Sequence, residues 1–357
     1  MIKYKCRFIG VALLLQFVLL QSGCNSGGES PSAAPGAISA TSVSLNSASY
    51  TGGSAEIMNL TSYNSLLYLL NSNGEIWQTV YGGTSPTWAQ ATTLAEGESP
   101  TTIALNMLGV LFTCTSLGDC YQYNGADNWF AQGAGTSGSP ATDMIVISGN
   151  PIYMGNQAGQ VWYYSGSAWS NISSGSGISA PINQLAIDSL TSPLYLGVAS
   201  GSSVYAYMIG SHSWTNLIAD AGTQYTDTGS TINTISYYSD GRNDYGYFGN
   251  SAGNVWRGIY DTATGMEIAF ENMSSSTTFP GYDGTGAVTV VQADSNNNLY
   301  VGTATGQVLI WTPTTIAWSN ITPASSNGSA ISTIGVYNSN AIFVGNQNGQ
   351  MWALTWQ

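Results

Sequence analysis

The sequence predicts an all-β fold made of seven repeats of one four-stranded unit, and three observations carry that prediction. The segments LYLLNSNGEIW, LFTCTSLGDCY, IYMGNQAGQVW, LYLGVASGSSVY, GYFGNSAGNVW, LYVGTATGQVL and IFVGNQNGQMW each join an apolar-aromatic strand to a second apolar strand through a polar turn. Their turn glycines, Gly74, Gly118, Gly159, Gly201, Gly253, Gly306 and Gly349, recur at intervals of 44, 41, 42, 52, 53 and 43 residues. An apolar alternation precedes every hairpin: AEIMNL, TTIALNM, TDMIVIS, INQLAID, INTISYY, VTVVQAD and ISTIGVY. A period in the low forties built from strands and Gly turns is that of four-stranded propeller blades.

Each strand of the unit follows from this alignment. The alternating segments are the innermost strands, and the two strands of the glycine hairpin are the middle pair. A tryptophan then opens the outer strand: Trp88, Trp129, Trp169, Trp214 and Trp318, with Phe270 standing in for it in the fifth unit. Large aromatics repeated at these places are expected to pack between neighbouring blades. The last unit stops at Gln357 without its outer strand, and SVSLNSA at Ser42–Ala48 precedes the first inner strand where other units have theirs. The expectation is a seven-bladed β-propeller over 42–357, its ring closed by the N-terminal strand so that no long edge is left unpaired.

Ahead of that body, residues 1–23 have a basic start, an apolar stretch from Phe8 to Leu20 and small residues before Cys24. The apolar core is too short to span a bilayer and reads as an export signal. Ser22, Gly23 and Cys24 resemble a bacterial lipobox, although Gln21 stands where that family prefers an aliphatic residue. The resemblance implies cleavage before Cys24 and its acylation. Residues 24–41, rich in Ser, Gly, Ala and Pro, read as a flexible tether. The implied location is the cell envelope, lipid-anchored at the outer membrane. Of the four cysteines only Cys114 and Cys120 then remain in the body, flanking TSLGD. If that segment is a hairpin centred on Leu117 they face each other, and an exported chain favours a disulfide there over two reduced thiols.

Charge narrows the partners. The chain has 5 Lys/Arg against 18 Asp/Glu, and charged residues make up 6% of it, where globular domains carry about 25%. Lys3, Lys5 and Arg7 belong to the signal, which leaves Arg242 and Arg257 as the body's cations. Nucleic acid is excluded as a partner, since its binding rests on many Lys/Arg phosphate contacts. Attraction to anionic lipid headgroups is excluded for the same reason, so the membrane is met through the lipid anchor only. One histidine, His212, excludes a multi-His metal site.

The pattern h-Y-h-G-x-x-x-G-x-V-W…W from Glu56 to Gln357 resembles propeller repeats of the pyrroloquinoline-quinone type, and more loosely BNR/sialidase-like and kelch-like repeats. Together with a lipobox it also resembles BamB-type outer-membrane assembly scaffolds, although the Ala-Leu-Asp element is missing and the unit count is seven rather than eight. Enzymes on related propellers would need residues that this chain lacks. A sialidase-like site implies three arginines, a streptogramin-lyase-like site implies histidine chemistry with a metal, and a quinone dehydrogenase implies a cationic, calcium-binding pocket. The run ADSNNN at Ala293–Asn298 offers oxygen ligands but lacks the spacing of a known calcium loop. No catalytic residue, cofactor or metal is expected.

Candidate binding residues come from the places where the period stretches. Trp214 to Ile232 and Phe270 to Val288 are longer connections than elsewhere, and they carry Tyr225 and Asp227, and Phe279, Tyr282 and Asp283. On the opposite face SDGRNDYG carries Asp240, Arg242 and Asp244. The functional expectation is a monomeric, non-enzymatic, membrane-anchored propeller that binds a protein or envelope component through a face. The alternatives are a lectin-like propeller using aromatic platforms for a glycan, and, more weakly, a glycoside-active enzyme built on paired carboxylates.

Overall fold

The computed structural model describes residues 38–356, apart from 83–85, 92–93, 95–97, 125–127, 135–137, 148–150, 188–193, 262–266, 276 and 339. The expected signal peptide, Cys24 and most of the expected tether lie outside the described residues. The chain is an all-β, seven-bladed propeller in which every blade is a four-stranded antiparallel sheet. The inner strands are Ile57–Tyr63, Pro100–Leu105, Ala141–Val146, Ile182–Ile187, Ile232–Ser239, Val288–Ala293 and Ile331–Asn338. Blade 7 takes its outer strand from the other end of the chain. Thr41–Ser44 runs antiparallel to Met351–Thr355, with Thr41 opposite Thr355 and Ser44 opposite Trp352. The strand starts one residue before the expected boundary. Ile38 and Ala40 also pack against the core between blades 6 and 7, and Ile38 N donates to Ser319 Oγ at 3.1 Å.

This topology fixes two faces. Hairpins between middle strands and the connections from one blade to the next lie on one side, here termed the glycine face. Turns from inner to second strand and from third to outer strand lie on the other side. The chain leads into the ring on that second side, at Thr41, and it is termed the lead-in face.

Local chemistry explains the repeated hairpin. Asn71 Oδ1 accepts from the backbone N–H of Asn73 and Glu75 at 3.1 and 3.0 Å, and Asn250 and Asn346 make the same pair of bonds in blades 5 and 7. Side-chain mimicry of a backbone turn is what Asn does well. The glycine three residues on has positive φ, 75° at Gly159 and 88° at Gly253. A Cβ there would also lie 2.6 Å from Ala180 O or Gly286 O of the incoming connection. Backbone conformation and close approach thus both require glycine.

Around the axis every inner strand carries a register break at its second residue. These β-bulges turn Met58, Thr101, Thr142, Asn183, Asn233, Thr289 and Ser332 into the central channel. Four of them stitch adjacent blades. Asn183 Nδ2 donates to Ile232 O, Asn233 Nδ2 to Val288 O, Thr289 Oγ1 to Ile331 O and Ser332 Oγ to Ile57 O, at 2.5–2.7 Å. The next position adds a second latch. Asp143 Oδ2 accepts from Leu185 N, Gln184 Oε1 from Ile235 N, Thr234 Oγ1 from Val291 N and Thr333 Oγ1 from Leu60 N.

Farther out, the outer-strand tryptophans do the packing that the sequence predicts. Trp88 and Trp318 are each 4% exposed. The indole N–H of Trp88, Trp169, Trp214 and Trp318 donates to Leu45 O, Gln132 O, Ile172 O and Met273 O of the preceding blade at 2.8–3.0 Å. Each ring therefore buries area and satisfies its one polar atom against its neighbour.

Candidate functional site: an acidic face over a polar channel

The connection between blades 4 and 5 contains the one α-helix among the described residues, Leu217–Ala221, whose N-terminus is capped by Asn216 Oδ1 accepting from Ala219 N. Beyond it Tyr225 is 2% exposed and packs on Trp256, ring centroids 4.8 Å apart. Asp227 Oδ2 accepts from Asn250 Nδ2, Asn254 Nδ2 and Trp256 Nε1 at 2.7–2.8 Å. In blades 1 and 3 the hairpin's own Glu75 and Gln160 accept from the corresponding asparagine and tryptophan. Blade 5 has Asn254 at that place, and the longer connection supplies the missing acceptor.

The connection between blades 5 and 6 is similarly engaged. Phe279 is 3% exposed. With Tyr245 and Trp311 it surrounds Arg257, whose guanidinium lies 5.4–5.7 Å from the three ring centroids and pairs with Glu271. Desolvated cation–π contacts of this kind contribute about 2 kcal/mol or more. Tyr282 is half-buried, its hydroxyl donating to Gly253 O at 2.8 Å and its pKa pushed up to about 12 by burial. Asp283 is exposed on the glycine face and accepts from Asn320 Nδ2 at 3.3 Å.

On the lead-in face Asp240 and Arg242 are exposed, whereas Asp244 is 5% exposed. Asp240 Oδ1 accepts from Arg242 N and Asn243 N, and Oδ2 from the Tyr245 hydroxyl. Partial burial opposes ionisation, yet those bonds hold the carboxyl below its ordinary range. The run at Ala293–Asn298 is the equivalent turn of blade 6. Asp294 Oδ1 accepts from Asn296 N and Asn298 N, and Oδ2 from Asn298 Nδ2 and the Tyr300 hydroxyl. His212 sits in a turn at φ 55°, with Nδ1 2.7 Å from the Tyr207 hydroxyl. Among the described residues no cluster of three or more His, Cys, Asp or Glu could hold a metal.

Chain order and turn position put Glu56, Glu75, Glu98, Asp119, Asp220, Asp227 and Asp283 on the glycine face. Arg242 belongs to the other face and Arg257 is neutralised by Glu271, so this face carries no uncompensated cation among the described residues. Two features escaped sequence reasoning. Glu98 and Asp119 lie together in blade 2: the Tyr121 hydroxyl donates to Glu98 Oε1 at 2.6 Å, while burial first and then the Glu98 charge raise the Asp119 pKa. The second is Asp143, in a channel of about 400 Å³ walled by all seven inner strands. Protein surrounds its carboxyl, although the open channel leaves it partly wetted. Burial pushes its pKa up to about 6, against the pull of the N–H groups of Met144 and Leu185 at 2.8 and 2.7 Å.

Cys114 and Cys120 stand opposite each other in the blade 2 hairpin and form a disulfide. Their sulfurs contact those of Met144 and Met154 in blade 3.

No protein-family model and no curated protein matches the chain. Solved structures match its fold. It is similar to YCF48 bound to D1 peptide, with TM-score 0.64 and 12% identity over 88% of this chain and 96% of that one. It is similar to the WD40 β-propeller domain of Doa1, with TM-score 0.64 and 12% identity over 89% and 96%. It is also similar to virginiamycin B lyase from Staphylococcus aureus, with TM-score 0.68 and 10% identity over 88% and 98%. Fold and surface together define a seven-bladed propeller whose glycine face carries carboxylates and, among the described residues, no uncompensated cation. The neighbours include a peptide-bound propeller and an enzyme, and at these identities the likeness is one of fold.

Proposed function

We propose that this chain is a lipid-anchored, non-enzymatic propeller of the cell envelope that binds a basic protein segment on its glycine face. The observation that carries the reading is the acidic face: seven carboxylates with no uncompensated cation beside them among the described residues. Like-charge concentration on one surface steers and selects an opposite-charge partner. The capture of D1 peptide by YCF48 supports peptide binding as something a similar fold does. The lipobox resemblance at Ser22–Cys24 supports the anchor.

The test is recovery of the anchored protein from its native envelope at low and high salt, with identification of what stays bound. A Glu56→Gln, Glu75→Gln, Asp283→Asn variant should lose the partner, and moderate salt should release it from the wild type. Identical retention by wild type and variant would remove the acidic face from the reading. A carboxylate-based enzyme has one specific support, the Glu98–Asp119 neighbourhood. Turnover of a glycoside abolished by Glu98→Gln would replace the binding reading with that one.

A further inference from the structure

Eight large hydrophobic side chains are exposed among the described residues: Met58, Leu66, Val80, Met107, Leu108, Leu117, Phe130 and Ile316. Five of these belong to one face. Met107 and Leu108, 64% and 72% exposed, form the tip of the turn after the inner strand of blade 2. Leu66 opens the second strand of blade 1 and pairs with Val80 at the end of the third. Ile316, 55% exposed, ends the turn from the third to the outer strand of blade 6, at φ 51°. All five are on the lead-in face.

The patch at blades 1 and 2 is continuous. A Cβ on Gly109 would lie 2.2 Å from Tyr63 Cδ1, so the blade 2 turn rests directly on the end of blade 1's inner strand. Leu66, Gly109 and Val110 line one groove. The equivalent turns elsewhere are polar: Asn64-Ser65 in blade 1, Asp240-Gly241-Arg242 in blade 5 and Ser295-Asn296-Asn297 in blade 6. Blade 2 alone among these presents Met-Leu to solvent.

Where the chain begins its path through the body selects the occupant. It enters at Ile38, against Ser319 of blade 6, and reaches Thr41 of blade 7 on the lead-in face, between Ile316 of blade 6 on one side and Leu66, Val80, Met107 and Leu108 of blades 1 and 2 on the other. From Cys24 to Ile38 are fourteen peptide units, and a chain of that length reaches at most about 50 Å when extended. An acyl group on Cys24 therefore keeps the lead-in face within reach of the bilayer it enters. Charge agrees with this assignment. Among the described residues Asp240 and Arg242 are the exposed charged side chains of that face, one of each sign, and Asp244 and Asp294 on the same face are buried.

We propose that the arc of Ile316, Leu66, Val80, Met107 and Leu108 is a bilayer-contact surface. The anchored propeller lies with its lead-in face on uncharged lipid, Met107 and Leu108 entering the headgroup boundary and the acidic face pointing away. This rests on the lipid-anchor reading and adds an orientation to it. Contact is apolar, with no cationic cluster to hold anionic lipid, and it is too small to retain the protein without the acyl chain.

The experiment uses the full-length lipidated protein in phosphatidylcholine vesicles. An environment-sensitive fluorophore is attached through Leu108→Cys or, as the opposite-face comparison, Ser72→Cys, with nitroxide-labelled phosphatidylcholine as the quencher. Quenching at Leu108 at least about threefold stronger than at Ser72, with a blue-shifted emission, is the expected result. Equal quenching at both sites in protein that still floats with the vesicles overturns the orientation and leaves the anchor reading standing. Failure to float overturns the anchor reading, and the orientation with it. A Leu108 probe shielded from aqueous iodide but not quenched by labelled lipid means that a second copy or another protein covers the patch, which also overturns it.

Discussion

Blades 4 to 7 and blades 1 to 3 close the same ring by different means. From blade 4 through 5, 6 and 7 to blade 1, every junction has a bulged Asn, Thr or Ser donating to the next blade's first inner-strand carbonyl. In the other arc that stitch is missing. Met58 has no donor to offer, Thr101 donates to Cys114 O within its own blade, and Thr142 Oγ1 has no protein partner. The same arc holds the disulfide, Asp143, the Glu98–Asp119 pair and the exposed Met107–Leu108 tip. Repeat stability is close to a sum of nearest-neighbour interfaces. Departures from the repeat thus accumulate where the regular interface bond is absent, and the disulfide lies within that arc.

The largest expected effect tests Asp143 against its neighbour. Gln184 makes the same latch to the next blade without a charge. A carboxyl whose folded pKa is raised to about 6 binds more protons folded than unfolded between its ordinary value and pH 6. Stability should therefore be highest at the acid end of that window and fall as pH rises through it, by at most about 3 kcal/mol. Asp143→Gln should flatten this dependence. Urea melts at pH 4, 5, 6 and 7 decide it, and parallel curves for the two proteins would refute the assignment.

Next in size, reduction of Cys114–Cys120 or its replacement by Ser should cost about 2 kcal/mol, the loop being short. Hydrogen exchange should show the loss of protection concentrated in blades 2 and 3 rather than spread around the ring. Uniform loss would mean that the two arcs unfold as one. Asn233→Leu deletes a stitch and leaves Val288 O without its donor, at a cost of about 1 kcal/mol. Thr101→Val, in the unstitched arc, should cost measurably less by the same melts, and equality would erase the contrast between arcs. Smallest is a gain: Met58→Asn places a donor where blade 1 lacks one, and should raise stability by about 0.5–1 kcal/mol, read as a higher thermal midpoint.

The blade count, the glycine turns, the tryptophan packing and the closing strand were all visible in the amino-acid order, because each follows from residues a few positions apart and then repeats. The candidate residues show where that visibility ends. Loop length drew attention to Tyr225, Asp227 and Phe279, but Asp227 completes a hairpin about 25 residues away, and the two rings lie in the core. Asp283 and Asp240, by contrast, are exposed on opposite faces. Length marks an insertion without showing whether its side chains turn in or out.

By itself, then, the sequence determined a ring of seven acidic, cation-poor blades closed by its own N-terminal strand. Tertiary structure decided the rest: that Glu98 meets Asp119, that Asp143 lines the channel, and which of the carboxylates and apolar side chains stay exposed on each face. The physical reason is that blade-forming patterns are local and periodic. Charge clustering depends on side chains that lie far apart along the chain, or in different blades, and are brought together only by the closure and twist of the ring.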